Sequence, residues 1–497
     1  MEYQSSLSSK VIEWIHNVQY EDIPFEALHE AKRALLDTIG IGIAGQLTQV
    51  STIAHNFVLS QYGSSDYHHS AKLWCSNNKS VSMCGAALAN AWIIDSIDMH
   101  DTGHYTKGHA GCALIPSLLS CIHIYEKNNE NKKLNGKEFL TTLIVGYEIA
   151  YRAGHSLHVT VPDIHSSGSW ASLGCSAMLC RLLKLSYDST AHALGIAEYY
   201  GPRSQIMRCV NYPTMLKDGL GQGALVGISS ALLGELGFTG SPAVTMTKVD
   251  DNKVLFDIWN SLGKEYRINI VHVYKYHACC YWAQPSLNAI DKIKQKYPNV
   301  TFMNNTISSI DIYTFFEATH LLQTVPKTSD QVQYSISFST AAALIYGRIG
   351  PKLLNAINDQ KIINLMEKIH IHIDPQLGPT FMLGVRDQIS TTDNKNISAM
   401  TSNASTIIIT LCDGSQYDSG LSFVKWDKIA GEKEPSDEEL IEKYMWLCKE
   451  AGVEDQQAIE QLKDICMQDM ENIEDMNILQ DILADLDCTN SYKYQTT

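Results

Sequence analysis

The chain has no CxxC pair among its 13 cysteines, which argues against a zinc ribbon or a dithiol redox centre. It has no GxSxG, HExxH, P-loop or kinase signature. The common nucleophile, zinc-protease and phosphoryl-transfer classes therefore have no motif behind them. Positive charge is scarce: 38 Lys+Arg stand against 54 Asp+Glu, a formal net charge of −16. Such a chain is a poor general binder of nucleic acid or anionic membrane, and an anionic substrate would need a local cationic pocket. The start, Met1-Glu2-Tyr3-Gln4-Ser5, has neither a basic nor an apolar leader. With the unpaired thiol pattern, this leads us to expect a cytoplasmic protein with reduced cysteines. The best bilayer candidate, Gly219 to Phe238, contains Gln222, Glu235 and many small residues, so it reads as a closely packed helix. Internal repeats and low-complexity linkers are also missing.

What remains is ordinary globular material: 497 residues, 45% apolar and 19% charged, with room for roughly two to four domains. The first half reads as helix. Val11, Ile12, Trp14, Ile15 and Val18 fall on one helical face, and Pro24 opens a second run to Ala44. Further helices are expected over Val81–Ile97, Ala113–Tyr125, Gly136–Leu157, Ser172–Leu183, Ser189–Tyr199 and Leu216–Leu236. Near residue 265 the texture changes. Tyr266–Tyr276, Ile307–Thr314, Lys368–Asp374 and Thr406–Leu411 read as strands, the last followed by a turn at Asp413-Gly414. Helices over Ala283–Tyr297 and Ser335–Tyr346 lie between them. From about Ser436 the chain is helical and acidic, and Glu454–Asp487 reads as a solvated helical face or frayed end. The expected fold is mainly α with an α+β second domain. Residues 1–265 form the helical domain, 266–425 a smaller α+β lid, and 426–497 a helical return to the first domain.

The densest polar cluster runs from Asp95 to Cys112 and holds His100, His104 and His109 with Asp98 and Asp101. It joins two apolar helices, the setting in which loops often carry function. The spacing of its three histidines is not a standard ligand pattern, so we expect no metal and read acid–base work or substrate binding. Three other segments stand out: Asp163-Ile164-His165-Ser166-Ser167, Met215-Leu216-Lys217 before a glycine-rich helix, and Lys275-Tyr276-His277-Ala278-Cys279-Cys280. Each taken alone is equally compatible with a structural role.

Together, in order and spacing, these segments resemble the MmgE/PrpD family of 2-methylcitrate dehydratase, cis-aconitate decarboxylase and iminodisuccinate epimerase. Ala31–Gly40, Pro326-Lys327-Thr328 and Gln333-Tyr334-Ser335 extend the likeness, which runs from about Ser8 to Lys425. The resemblance implies a helical domain with an α+β lid, a homodimer, no cofactor and a small anionic carboxylic acid as substrate. Carried over by position, it implies a site of Asp98, Thr102, His109, His165, Lys217 and Lys275.

All these reactions place negative charge on a carbon beside a carboxylate, so fixed cations must stabilise an enediolate-like species. We therefore expect Lys217 and Lys275 as the charges, with Arg203 and His277 as further substrate contacts. His109 is expected as acid–base group, oriented by Asp98. His165 is expected at the opposite face and Thr102 on the substrate. The chain departs from the family pattern at His100, Gly103, Tyr281 and Gln284. These departures favour a decarboxylase-like lyase over the main dehydratase. A 2-methylcitrate dehydratase-like hydro-lyase, an iminodisuccinate-type epimerase, a new natural-product substrate or a homologue without activity stay open as alternatives.

Overall fold

The computed structural model describes residues 6–161, 163–247, 252–377 and 403–488. Its first half is a stack of helices. Leu220–Glu235 lies against Gly168–Leu182, Met83–Asp95 and Tyr187–Tyr200. The long helix Gly136–Thr160 backs Gly168–Leu182, and Phe25–Gly45 runs through the core with almost every side chain buried. Small residues on these helices let the axes approach, so close packing replaces the wide apolar stripe of a surface helix. No helix among the described residues is long and apolar enough to cross a membrane.

The expected helices are present, with shifted ends. Ala113–Tyr125 is two helices, Gly111–Ser120 and Ile122–Asn128, broken at Cys121. Tyr266–Tyr276 is the main correction: it is the short helix Arg267–Val271 followed by a two-residue strand, His272–Val273. The cause is Glu148. Its buried carboxylate accepts from the backbone N–H of Arg267 at 2.9 Å and of Ile268 at 3.0 Å. Those bonds satisfy the first amides of a helical turn and leave Ile268 and Val271 on one buried face.

The α+β part centres on one mixed sheet. Ile307–Thr314 pairs in parallel with Ile369–Ile373 and antiparallel with Ala404–Leu411, which in turn pairs with Gln416–Asp418 and Ser422–Phe423. The turn at Gly414 has φ +88°, a conformation that suits glycine. Gln284–Lys296 covers the sheet and packs on Ile336–Tyr346, whose N-terminus is capped by the Ser335 hydroxyl.

The C-terminal segment returns to the helical part. Asp437–Ala451 lies along Phe25–Gly45, and the buried Lys443 reaches the buried Asp37 at 2.7 Å. Burial pushes the Lys443 ammonium down to about 8, against the pull of Asp37. The acidic tail is docked along one face. Met470, Met476, Leu479 and Leu483 are buried, and Gly136 N–H donates to the Ile473 carbonyl at 2.8 Å. A Cβ on Gly136 would lie 1.7 Å from the Met470 carbonyl oxygen. Gly136→Ala should therefore lift the tail off the helical part and cost about 1–3 kcal/mol, read as a lowered urea midpoint. An unchanged midpoint would show that this contact does not hold the tail.

Candidate functional site

The loop between Met83–Asp95 and Gly111–Ser120 is held on three sides. Asp101 anchors it: its carboxylate accepts from Gly111 N–H at 3.0 Å and from the Tyr147 hydroxyl at 3.0 Å. Thr102 and Gly103 pair with Val273 and His272, tying the loop to the start of the α+β part. Asp98 and Lys107 both sit in the left-handed region, at φ 49° and 54°, as does Lys217 at 48° on the facing segment. Such backbone strain at non-glycine residues clusters at functional sites and must be held by the surroundings.

A cavity opens beside this loop. Its polar wall includes Asp98, Thr102, His104, Lys107, His109, Asp218 and Tyr281, and its apolar wall includes Ile164, Ile206, Val210 and Trp282. His109 is oriented from both ends. Its Nδ1 donates to the main-chain carbonyl of Asp101 at 2.5 Å, with the Thr102 hydroxyl 3.1 Å away. A carbonyl only accepts, so the Nδ1 proton is fixed and Nε2 is the position that exchanges a proton. Nε2 lies 3.5 Å from the Asp218 carboxylate. Burial acts to raise the Asp218 pKa, but its hydrogen bond and charge interaction with His109, together with the Lys275 charge and the Ser167 N–H, outweigh this and hold it below the usual range. Asp218 in turn accepts from the Ser167 hydroxyl at 3.3 Å, and Ser167 Oγ accepts from His109 N–H at 3.0 Å.

Beneath His109 lies a buried layer. His100 packs 4.2 Å from its ring and shares a 3.0 Å hydrogen bond with Asp95. Burial drives the His100 pKa well below its usual range and that of Asp95 well above. Asp98 is bound by the buried Lys275 ammonium, which also donates to the Asp98 carbonyl at 3.1 Å. Burial works against the Lys275 charge, but Asp98 overcomes it and raises the pKa.

Asp98, Thr102 and His109 thus meet at one cavity, as expected. The other expected residues stand elsewhere. Asp98 pairs with Lys275, and His109 is oriented instead by the Asp101 carbonyl and Asp218. The Lys217 ammonium donates to the Gln333 side-chain oxygen and lies 5.6 Å from the centre of the Tyr334 ring, which forms part of the cavity wall. Arg203 and Lys217 line a separate open groove. His165 is half-buried; its Nδ1 donates to the Asp163 carbonyl at 3.1 Å, and its neighbour Ile164 faces the cavity. His277 is buried, and its Nδ1 accepts from Ile349 N–H at 3.1 Å, a structural cap. Gln284 is also structural: its amide donates to the His277 and Cys279 carbonyls at 2.8 and 3.1 Å.

Sequence reasoning missed four wall or support residues. Lys107 and His104 were visible within the loop, and Asp218 stood next to Lys217. Asp427, which holds His104 and Tyr281, gave no signal, because only the tertiary fold brings it near the loop.

Two donor clusters invite a metal: Asp98 with His100 and His109, and Asp95 with His100 and Cys112. The donor set fits poorly. The Asp98 carboxylate already binds an ammonium, and His109 Nδ1 spends its proton on a carbonyl. A dication there would have to displace Lys275 from a fully buried ion pair.

The profile of the MmgE/PrpD N-terminal domain matches residues 9–257, and that of the MmgE/PrpD C-terminal domain matches residues 277–469. The cis-aconitate decarboxylase-like protein oryM of Aspergillus oryzae is 24% identical over 426 residues, spanning 79% of this chain and 85% of that protein. The cis-aconitate decarboxylase of Homo sapiens is 28% identical over 234 residues, 46% of each chain. That of Aspergillus terreus is 23% identical over 331 residues, 62% of this chain and 64% of its own.

Proposed function

The chain belongs to the MmgE/PrpD family, and from that premise we propose that it is a cofactor-independent lyase that removes CO₂ from a small polycarboxylic acid, with cis-aconitate as the first candidate. The observation that carries this reading is the fixed tautomer of His109 at the cavity wall. Losing CO₂ leaves an electron pair on carbon, which delocalises into a neighbouring carboxylate or alkene. His109, protonated on both nitrogens, delivers its Nε2 proton to that carbon and is later reprotonated from solvent. Asp218, 3.5 Å from Nε2, stabilises the imidazolium before transfer. The apolar wall of Ile164, Ile206, Val210 and Trp282 favours a departing neutral CO₂ over a carboxylate. The relatives named as cis-aconitate decarboxylases, and the one named decarboxylase-like, support the same class.

A second reading is epimerisation, favoured by one observation: His104 puts a second imidazole on the cavity wall. Mass spectrometry on cis-aconitate, 2-methylcitrate and iminodisuccinate incubated with the full-length protein separates the two. The lyase reading expects CO₂ from cis-aconitate, at a rate that a metal chelator leaves unchanged. Stereochemical scrambling without CO₂ would replace it with the epimerase. Strong inhibition by chelator would return the Asp98–His100–His109 cluster to consideration as a metal centre.

A further inference from the structure

His109 can place its proton reproducibly only if the loop that carries it holds still, and the turn at the foot of that loop is strained. Asp98 sits at φ 49°, with its N–H reaching back to the Asp95 carbonyl at 3.1 Å. The carbonyls of the turn are held by donors from elsewhere in the fold. Ser96 accepts from the Gln333 amide at 2.9 Å, Asp98 from the Lys275 ammonium at 3.1 Å and Met99 from the Lys443 ammonium at 3.2 Å. Resting on the lyase reading, we propose that Lys443 is a positioning residue: through the Met99 carbonyl it fixes the strained turn that carries His100 against His109, and so sets where Nε2 meets the substrate carbon.

Lys443 comes from the helix Asp437–Ala451, in the C-terminal return. Its side chain is fully buried, with Nζ 2.7 Å from the equally buried Asp37 carboxylate. Burying an ammonium and a carboxylate is costly, and a well-packed apolar pair would join the helices Asp437–Ala451 and Phe25–Gly45 at least as well. What the charged pair adds is a donor at the Met99 carbonyl. Met99 is itself fully buried, so that carbonyl needs a partner within the protein.

The path from Met99 to the reacting proton is short. The next residue, His100, bonds Asp95 at 3.0 Å and packs 4.2 Å from the His109 ring. One residue further, the Asp101 carbonyl fixes His109 Nδ1 at 2.5 Å. A shift of the Met99 peptide therefore moves both the ring beneath His109 and the carbonyl that sets its tautomer. Lys275 and Gln333 hold the neighbouring carbonyls from the α+β part, so three side chains remote in sequence clamp one turn.

Lys443→Met alone would leave the Asp37 carboxylate buried without its cation, so the test starts from Asp37→Asn. That single variant keeps the Lys443 donor to Met99, whereas Asp37→Asn with Lys443→Met removes it and strands no charge. Both full-length variants and wild type are assayed for CO₂ release from cis-aconitate, at a temperature where circular dichroism shows each fully folded. The single variant should keep kcat within about threefold of wild type. The double variant should lose roughly 10- to 100-fold in kcat, the scale of a misplacement of about 1 Å, while KM changes by less than about threefold. In a His109→Asn background the same Lys443→Met step should lower the residual rate by less than about threefold, because both residues act on one proton transfer. Equal kcat in the single and double variants, or full additivity with His109→Asn, overturns the assignment and leaves the lyase reading intact. A double variant that does not fold where Asp37→Asn does makes Lys443 a structural residue and overturns the assignment as well. A wild type that releases no CO₂ from cis-aconitate removes the lyase reading, and the assignment falls with it.

Discussion

Replacing His109 with asparagine should lower kcat on cis-aconitate by about 10²- to 10⁴-fold, the usual contribution of a positioned general acid–base group. Asparagine is the informative substitution. Its amide nitrogen can occupy the place of Nδ1 and keep donating to the Asp101 carbonyl, the bond that anchors the ring at 2.5 Å. What it lacks is an exchangeable proton at Nε2, opposite Asp218. KM should therefore change much less than kcat, and the helical circular dichroism should be that of wild type. A purely structural histidine would behave differently: the melting temperature would fall and kcat would follow the folded fraction. Retention of more than about a tenth of wild-type kcat would remove His109 from the proton-transfer step.

The second large effect is on stability. Cys112, Cys121, Cys175, Cys180, Cys279, Cys448 and Cys466 are buried and unpaired. Burial lifts all their thiols: Cys175, Cys180 and Cys448 to about 12, the others further or well above the ordinary value of 9.0. Above pH 9 the unfolded chain loses these protons while the folded chain keeps them, so stability falls as pH rises. Each such thiol costs about 1.4 kcal/mol per pH unit once past 9. Lysines with lowered pKa values act the other way. Lys107 and Lys443, lowered to about 8, make the folded state shed protons first, so they add stability between about pH 8 and 10.5. These two, with Lys294 and Lys425 also lowered by burial, do not offset the seven thiols, and a net stability of about 5–15 kcal/mol is consumed within a few pH units. Urea midpoints should hold or rise slightly from pH 8 to 9 and collapse between pH 9 and 10.5. A midpoint that keeps rising to pH 10 would show that these thiols ionise in the folded protein.

Much of the architecture was readable because the relevant signals are local. Ile307–Thr314 alternates over a full strand length, and Phe25–Gly45 is apolar at helical spacing, so both stood out in isolation. Tyr266–Tyr276 misled because its alternation was genuine, yet a carboxylate from Glu148, remote in the chain, supplied the partner for a helical turn instead. The site divides the same way. Asp98, Thr102 and His109 lie within one loop whose polarity contrasts with the apolar helices on either side. Lys275, expected as a substrate cation, is found paired with Asp98, a contact that depends on how the two parts of the chain meet. Asp427 shows the limit most plainly. An aspartate in a lysine- and tryptophan-rich stretch carries no mark of the cavity, and only the packed chain brings it to His104 and Tyr281.

The central claim is that an imidazole whose proton comes from water hands that proton to a carbanion created by loss of CO₂. Incubating the wild-type protein with cis-aconitate in D₂O and weighing the product measures this directly. One CO₂ should leave per molecule consumed, and each product molecule should carry one carbon-bound deuterium that does not wash out, while unreacted acid stays unlabelled. Product formed without deuterium, or label in the recovered acid with no CO₂ released, would contradict the account.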